Sequence, residues 1–407
     1  MRVLVITNQV PYPAMSGAPL RTYSILRRLA KTHDVYLAAF ISTEEQKEGV
    51  AHLLEFCRAV VTVRANSLKQ MINLGRVLAS VWHGTPPELK LAFSHELAKE
   101  IRTLVDRVDF DIVQIEHGSM GMYLEALPQQ LRKRAVWVLH DIDFHKFRQM
   151  AHILERRDSK ARASLHAMMM RWWQPSFASY FGLCVTMSEA DRRLLLSANR
   201  SLTVVVSPNG VDTHHHQPLP DEGDTADVLF MGNMAYEPNV DAALHFCHNV
   251  LPLVRKEVVD TKLWIVGINP EASVRRLEGN GVFVTGGVPD VVPYYKRAKV
   301  CVAPLRAGSG TRLKILEAMA LGRPVVSTSI GCEGLDVIDG KHILVADDSK
   351  GFAEKTTQLL RNYELRARIA AKARDFVVAS YDWDVIADNL MNELDRMAKA
   401  GATYASQ

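Results

Sequence analysis

Apolar runs of three to six residues recur along the chain, each closed by turn-forming residues and followed by a stretch with helical spacing. In the first half they fall at 3–7, 35–40, 60–63, 112–116, 136–140, 183–187 and 204–206. In the second half they fall at 228–231, 263–266, 282–285, 300–303, 325–328 and 343–345. Runs this short, rich in Val and Ile and without polar alternation, read as strands buried on both faces. Helical patterns fill the gaps, as at 20–30 and 91–105. Strand, helix, strand in steady alternation is the unit of a parallel sheet wound by helices on both faces. Two such series predict an α/β protein with two doubly wound, Rossmann-like lobes and ligands at the carboxyl ends of the strands.

The division between the series falls near 207–227, where Pro208, Pro218, Pro220 and Gly223 cluster. This sets a first lobe at 1–206 and a second at 207–380, with a final helical segment, 381–407, packing back on the first. At 407 residues the chain is too long for one ordinary core, which agrees with two domains. No apolar run approaches the length of a membrane-spanning helix. Residues 1–6 read as the start of a strand and not as a signal peptide. The five cysteines have no metal-binding spacing, and the expected setting is a reducing cytoplasm. A net charge of +4 gives no reason to expect nucleic acid.

The most informative stretch is 300–326, VCVAPLRAGSGTRLKILEAMALGRPVV. An apolar strand breaks at Pro304 into a small-residue loop containing Gly308, Ser309 and Gly310. The pattern then opens a helix at Thr311, which closes at Gly322 before the next strand. Backbone N–H groups at such a loop-to-helix junction suit a phosphate. Arg312 and Lys314 sit in the expected first turn, against the helix dipole, and such placement points to an anion. Glu317 lies further in on an otherwise apolar stretch. A phosphate-bearing ligand with hydroxyl groups fits this set.

Glu317-Ala318-Met319-Ala320-Leu321-Gly322-Arg323-Pro324-Val325 resembles the donor-binding segment of retaining glycosyltransferases with the two-lobed GT-B architecture, in particular glycosyltransferase family 4. Ser207-Pro208-Asn209-Gly210-Val211-Asp212 is similar to that family's sequence at the lobe crossover. The resemblance implies two lobes facing each other across a cleft, a nucleotide-sugar donor and no metal or other cofactor. It implies that Glu317 binds ribose hydroxyls and that backbone at Gly310, Thr311 and Leu313 meets the donor. The first acidic residue of the family's pair falls on Ser309, so Ser309 or backbone must then serve the sugar. The family's Arg and Lys after the first strand of the second lobe are missing at 232–239, leaving Arg312 and Lys314 to neutralise the diphosphate. Gly232 and Asn233, and Gly287 and Val288 after the third strand, are implied to contact the donor largely through backbone.

In the first lobe, Gly17 and Arg21 follow the first strand, where the family sets glycines against the donor phosphate. An ordinary Pro-rich loop is the alternative for that turn. His117 ends a strand where family members place a histidine beside the transferred sugar, with Glu116 its neighbour. His140 and Asp141 are acceptor-side candidates, and Asp141 or Asp143 is expected to cap the next helix. His214, His215 and His216 read as an exposed linker and not a metal site. The expected partners are a nucleotide-sugar and a sugar or lipid-linked acceptor; polysaccharide or glycoconjugate synthesis is the implied setting. A nucleotide-sugar epimerase and a non-catalytic nucleotide-sugar-binding protein are the alternatives.

Residues 145–173 match no family motif. They hold seven cations (Lys146, Arg148, Arg156, Arg157, Lys160, Arg162 and Arg171) against Glu155 and Asp158. Drawn as one helix, Phe147, Ala151, Leu154, Ala161, Leu165, Met168 and Trp172 share a face. That pattern fits a surface helix packed on the first lobe, or one touching anionic lipid at the inner face of a membrane.

Overall fold

The computed structural model describes residues 1–14, 17–65, 86, 89, 93–154, 156–220, 226–308 and 312–405. Contact density divides the chain into two units. One comprises Met1–Arg148, Ala161–Pro208 and Ile386–Gln407; the other comprises Gln149–Lys160 and Asn209–Val385.

The first unit holds β1 (Arg2–Thr7), β2 (Asp34–Ile41), β3 (Ala59–Arg64), β4 (Ile112–Glu116), β5 (Ala135–Leu139), β6 (Leu183–Thr186) and β7 (Val204–Val206). They form a parallel sheet in the order β3-β2-β1-β4-β5-β6-β7. Every residue of β4 and β5 is buried, as expected of strands covered by helices on both faces. Trp137, Tyr123, Phe110, Leu4 and Ile6 fill the space between sheet and helices. Ser94 caps the helix His95–Arg107 by accepting the Leu97 amide, and Ser188 caps Glu189–Ala198 by accepting that of Asp191. The order reverses between β1 and β4, which opens a crevice at their carboxyl ends.

The second unit repeats this plan. β8 (Asp227–Met231), β9 (Lys262–Val266), β10 (Val282–Gly286), β11 (Val300–Ala303), β12 (Val325–Ser327) and β13 (Leu344–Val345) form a parallel sheet in the order β10-β9-β8-β11-β12-β13. Its switch point lies between β8 and β11, so the turn after β8 and the loop after β11 flank one crevice. The α/β expectation therefore holds for both halves. No described helix is long and apolar enough to cross a membrane.

Three local expectations change. The helix after β11 runs Leu313–Ala320, with Arg312 as its extended cap residue (φ −86°, ψ 93°) and not in its first turn. Segment 145–173 is two helices, Asp143–Ile153 and Arg157–Ala178, so its apolar positions do not share one stripe. Asp141 and Asp143 are the alternatives expected to cap the next helix, but that helix begins at Asp143, so the residue before it is Ile142 and neither aspartate. Asp141 pairs with Lys146 (2.7 Å), and the Asp143 amide donates to Gln174 Oε1 (3.1 Å).

Candidate active site

In the second unit the chemistry gathers around Lys314. Its Nζ lies 2.7 Å from Asn239 Oδ1 and 4.6 Å from the centre of the Phe230 ring. Asn239 is buried and its Nδ2 donates to the Asn233 carbonyl (2.9 Å), locking the turn after β8. A Cβ at Gly232 would come within 2.7 Å of Asn239 Nδ2 and 2.9 Å of Lys314 Nζ, so a side chain there would push both groups aside. The lysine thus reaches from the helix after β11 to the turn after β8, across the switch point. Burial, and then the neighbouring Arg312, lower its pKa from 10.5 to about 7.

Arg312 stands at the head of the same helix, 9% exposed. Its guanidinium lies over Gly308, where a Cβ would meet Nη2 at 2.9 Å; Gly308 also has φ +116°, a backbone region side chains rarely adopt. Ser309, Gly310 and Thr311 lie outside the described residues. Leu313 is partly buried against the core. On the inner side, Glu317 Oε2 accepts a hydrogen bond from Tyr295 Oη (3.2 Å). Burial raises the Glu317 pKa, while His216, Tyr295 and Lys314 oppose the rise. Tyr295 is pushed well above its ordinary pKa by burial and stays a phenol.

The turns after β9 and β10 adjoin this group. The Gly267 amide donates to the Gly286 carbonyl (3.1 Å), and the Gly232 amide to Val266 (3.1 Å). Gly287 packs against Ile268, and Val288 is half-buried. Asn233 is exposed at the tip of its turn, with Oδ1 accepting from the Ala235 amide (3.0 Å). Gly232, Asn233, Gly287, Val288, Arg312, Lys314 and Glu317 therefore belong to one carboxyl edge of this sheet.

A second group lies at the carboxyl edge of the first unit. Glu116, 1% exposed, accepts from Gln114 Nε2 and meets His140 Nε2 at 2.6 Å. The β4–β5 register pairs Glu116 with Val138, which puts His140 two residues on and on the same face. His117 stacks on His140 with ring centres 4.0 Å apart. Its backbone has φ 73° and ψ 148°, a costly region for a residue with a Cβ. That conformation is held by its amide donating to Val138 O (2.9 Å) and its carbonyl accepting from Trp137 Nε1 (3.0 Å).

Burial would raise the Glu116 pKa, but His140, Arg21 and His117 outweigh it and bring it to about 2. Burial, then His140, lowers that of His117 to about 3. The pair is a carboxylate and a neutral imidazole at physiological pH. Both folded values lie below the unfolded ones, 4.5 and 6.5, so the unfolded chain takes up protons first on acidification. Stability from these two groups is full above about pH 6.5 and declines as pH falls, the His117 part down to about 3 and the Glu116 part down to about 2. Urea midpoints across that window should fall steadily, and a His117→Gln variant should flatten the upper part of the decline.

Arg21 departs from its expected place against a phosphate. It is 1% exposed in the helix Gly17–Leu29 and donates to Pro208 O (2.6 Å) and Ser207 Oγ (3.1 Å). Gly17 is the first residue of that helix. Of the linker histidines, His214 and His215 are exposed, as expected, and His216 is half-buried. His214 lies with Asp382 and Asp384 so that one donor atom of each falls within 4.8 Å of the others. The Asp382 carboxylate already accepts from Thr213 Oγ1 (2.6 Å) and from the Thr213 and Asp384 amides, which marks it as a holder of this turn. Asn239, Tyr295 and Gln114 escaped the sequence reading. Gln114 and Glu116 had a signal, being two polar residues in an otherwise apolar central strand.

Comparison with known proteins follows the same division. Residues 15–215 match the family model "Glycosyltransferase Family 4", and residues 225–362 match "Glycosyl transferases group 1". An uncharacterized 44.6 kDa protein of the Klebsiella pneumoniae cps region is 23% identical, covering 96% of this chain and 99% of the relative. A phosphatidyl-myo-inositol mannosyltransferase of Mycobacterium leprae is 30% identical over 54% of this chain and 60% of its own length. Sucrose-phosphate synthase of Thermosynechococcus elongatus has the same fold, with TM-score 0.72, 16% identity and coverage of 98% of this chain and 99% of that one. HepE of Anabaena, crystallised with UDP and glucose, superposes with TM-score 0.63 at 15% identity over 97% of this chain and 100% of its own.

Proposed function

The chain belongs to the glycosyltransferases of the group 1 and family 4 type with the GT-B fold, and from that premise we propose a retaining, metal-independent transfer of a sugar from a nucleotide-sugar to an acceptor hydroxyl. The observation that carries this reading is the Lys314 side chain spanning the switch point to the Gly232 turn. It brings a cation to the place where this chain lacks the family's own Arg and Lys. In the proposal, Lys314 and Arg312 neutralise the diphosphate, and Glu317, braced by Tyr295, accepts from the ribose hydroxyls.

Departure of a nucleoside diphosphate gathers negative charge on its bridging oxygen. Preorganised cations in a partly desolvated site stabilise that charge more than water does, and they need no metal for it. The acceptor hydroxyl attacks from the face the diphosphate leaves, and the departing phosphate takes its proton. His117, a neutral imidazole, orients the sugar by hydrogen bonding and does not act as an acid. His140, fixed by Glu116, serves the acceptor side. The acceptor is a sugar or lipid-linked sugar of a cell-surface polysaccharide or glycoconjugate. The cps-region relative and the phosphatidyl-inositol mannosyltransferase favour this setting.

A thermal-shift panel of UDP-, GDP- and ADP-sugars tests the donor side, since binding to the native state alone raises the midpoint by mass action. One nucleotide should stand out and should do so equally in chelator. Proton NMR of the product then reads the anomeric configuration. An inverted product, or conversion of the donor with no acceptor present, would reject the proposal.

A further inference from the structure

The helix Arg157–Ala178 presents an apolar stripe to solvent. Ala163, Met170, Gln174, Pro175 and Ala178 form its buried side. Opposite them, Leu165, Met168 and Trp172 are 54%, 58% and 78% exposed. At about 100° per residue these three fall within an arc of about 60°. Lys160, Arg162 and Arg171 are also exposed, and Asp158 is the one acid in the helix sequence. The Arg171 guanidinium lies 5.2 Å from the centre of the Phe144 ring, which draws its stem along the apolar surface.

We propose that this helix is a docking surface for an anionic lipid bilayer, lying in the interface with Trp172, Met168 and Leu165 inserted and the flanking cations on the headgroups. A Trp that is more than three-quarters exposed beside Met and Leu is costly in water and favourable at a headgroup boundary, where its ring is apolar and its N–H hydrated. The surplus of cations selects an anionic surface over a neutral one, and over a second copy of this same positive face. The inference stands on the helix and does not depend on which sugar is transferred.

The test is co-sedimentation of the full chain with phosphatidylcholine vesicles, with and without phosphatidylserine, at low and physiological salt. Binding should need phosphatidylserine, weaken with salt, and fall by about tenfold or more in an Arg162→Glu/Arg171→Glu variant, on the usual contribution of a juxtamembrane cation. A Leu165→Gln/Met168→Gln/Trp172→Gln variant should lose binding and keep its circular dichroism and nucleotide-induced thermal shift, because the altered side chains are exposed. Equal partition to neutral vesicles, no partition, or wild-type binding by either variant overturns the proposal. So does a dimer in sedimentation velocity that the triple variant dissolves while vesicle binding stays absent.

Discussion

Lys314→Met should weaken nucleoside-diphosphate binding by roughly ten- to a hundredfold and abolish the proton uptake that accompanies it. A charge-assisted hydrogen bond contributes about 1.5–3 kcal/mol, which sets that range. The proton follows from the lowered pKa, about 7 in the unliganded protein. An arriving diphosphate favours the ammonium form and raises that pKa, so above pH 7 binding must draw a proton from solvent. Affinity should fall about tenfold per pH unit above 7, until the pKa of the bound state is reached. Calorimetry in two buffers of different ionisation enthalpy reads the uptake directly. The unliganded protein shows the opposite trend from this group. Its folded pKa lies below the unfolded 10.5, so its contribution to stability rises with pH across that interval.

Arg312→Ala should lower kcat by about a hundredfold or more while changing the donor KM less. The basis is the cost of deleting one preorganised donor aimed at developing charge. The guanidinium packs over Gly308 at the head of the helix Leu313–Ala320, so its position is fixed before substrate arrives. Lysine at this position would keep the charge and lose the planar fork, so Arg312→Lys should recover only part of the rate. Near-normal turnover in Arg312→Ala would contradict the assigned role. Steady-state kinetics on the matched donor separate these outcomes.

The strand positions were legible because parallel strands covered on both faces must be apolar throughout. Ile112–Glu116, Val204–Val206 and Val300–Ala303 fall where the runs fall. The helix start after β11 was off by two residues, because Arg312 takes an extended cap conformation that composition does not mark. The stripe at 145–173 was misread because the chain breaks into two helices between Ile153 and Arg157, resetting the phase. Arg312, Lys314 and Glu317 could be named from one contiguous motif. Asn239 and Tyr295 could not, since each lies far away in sequence and joins the site only through the sheet order. The Glu116–His140 contact depends on the β4–β5 register, which no single strand reveals. Arg21 illustrates the converse. A cation beside a glycine turn resembles a phosphate ligand until its N–H groups are found donating to Pro208 O and Ser207 Oγ.

The proposed transfer requires Lys314 and Arg312 to grip a diphosphate at the edge where β8 and β11 part. A crystal structure with the nucleoside diphosphate selected by thermal shift tests this most directly. Diphosphate oxygens should lie within about 3 Å of Lys314 Nζ and the Arg312 guanidinium, with ribose hydroxyls on Glu317. A nucleotide bound with its phosphates away from both cations, or with its ribose turned from Glu317, would contradict it.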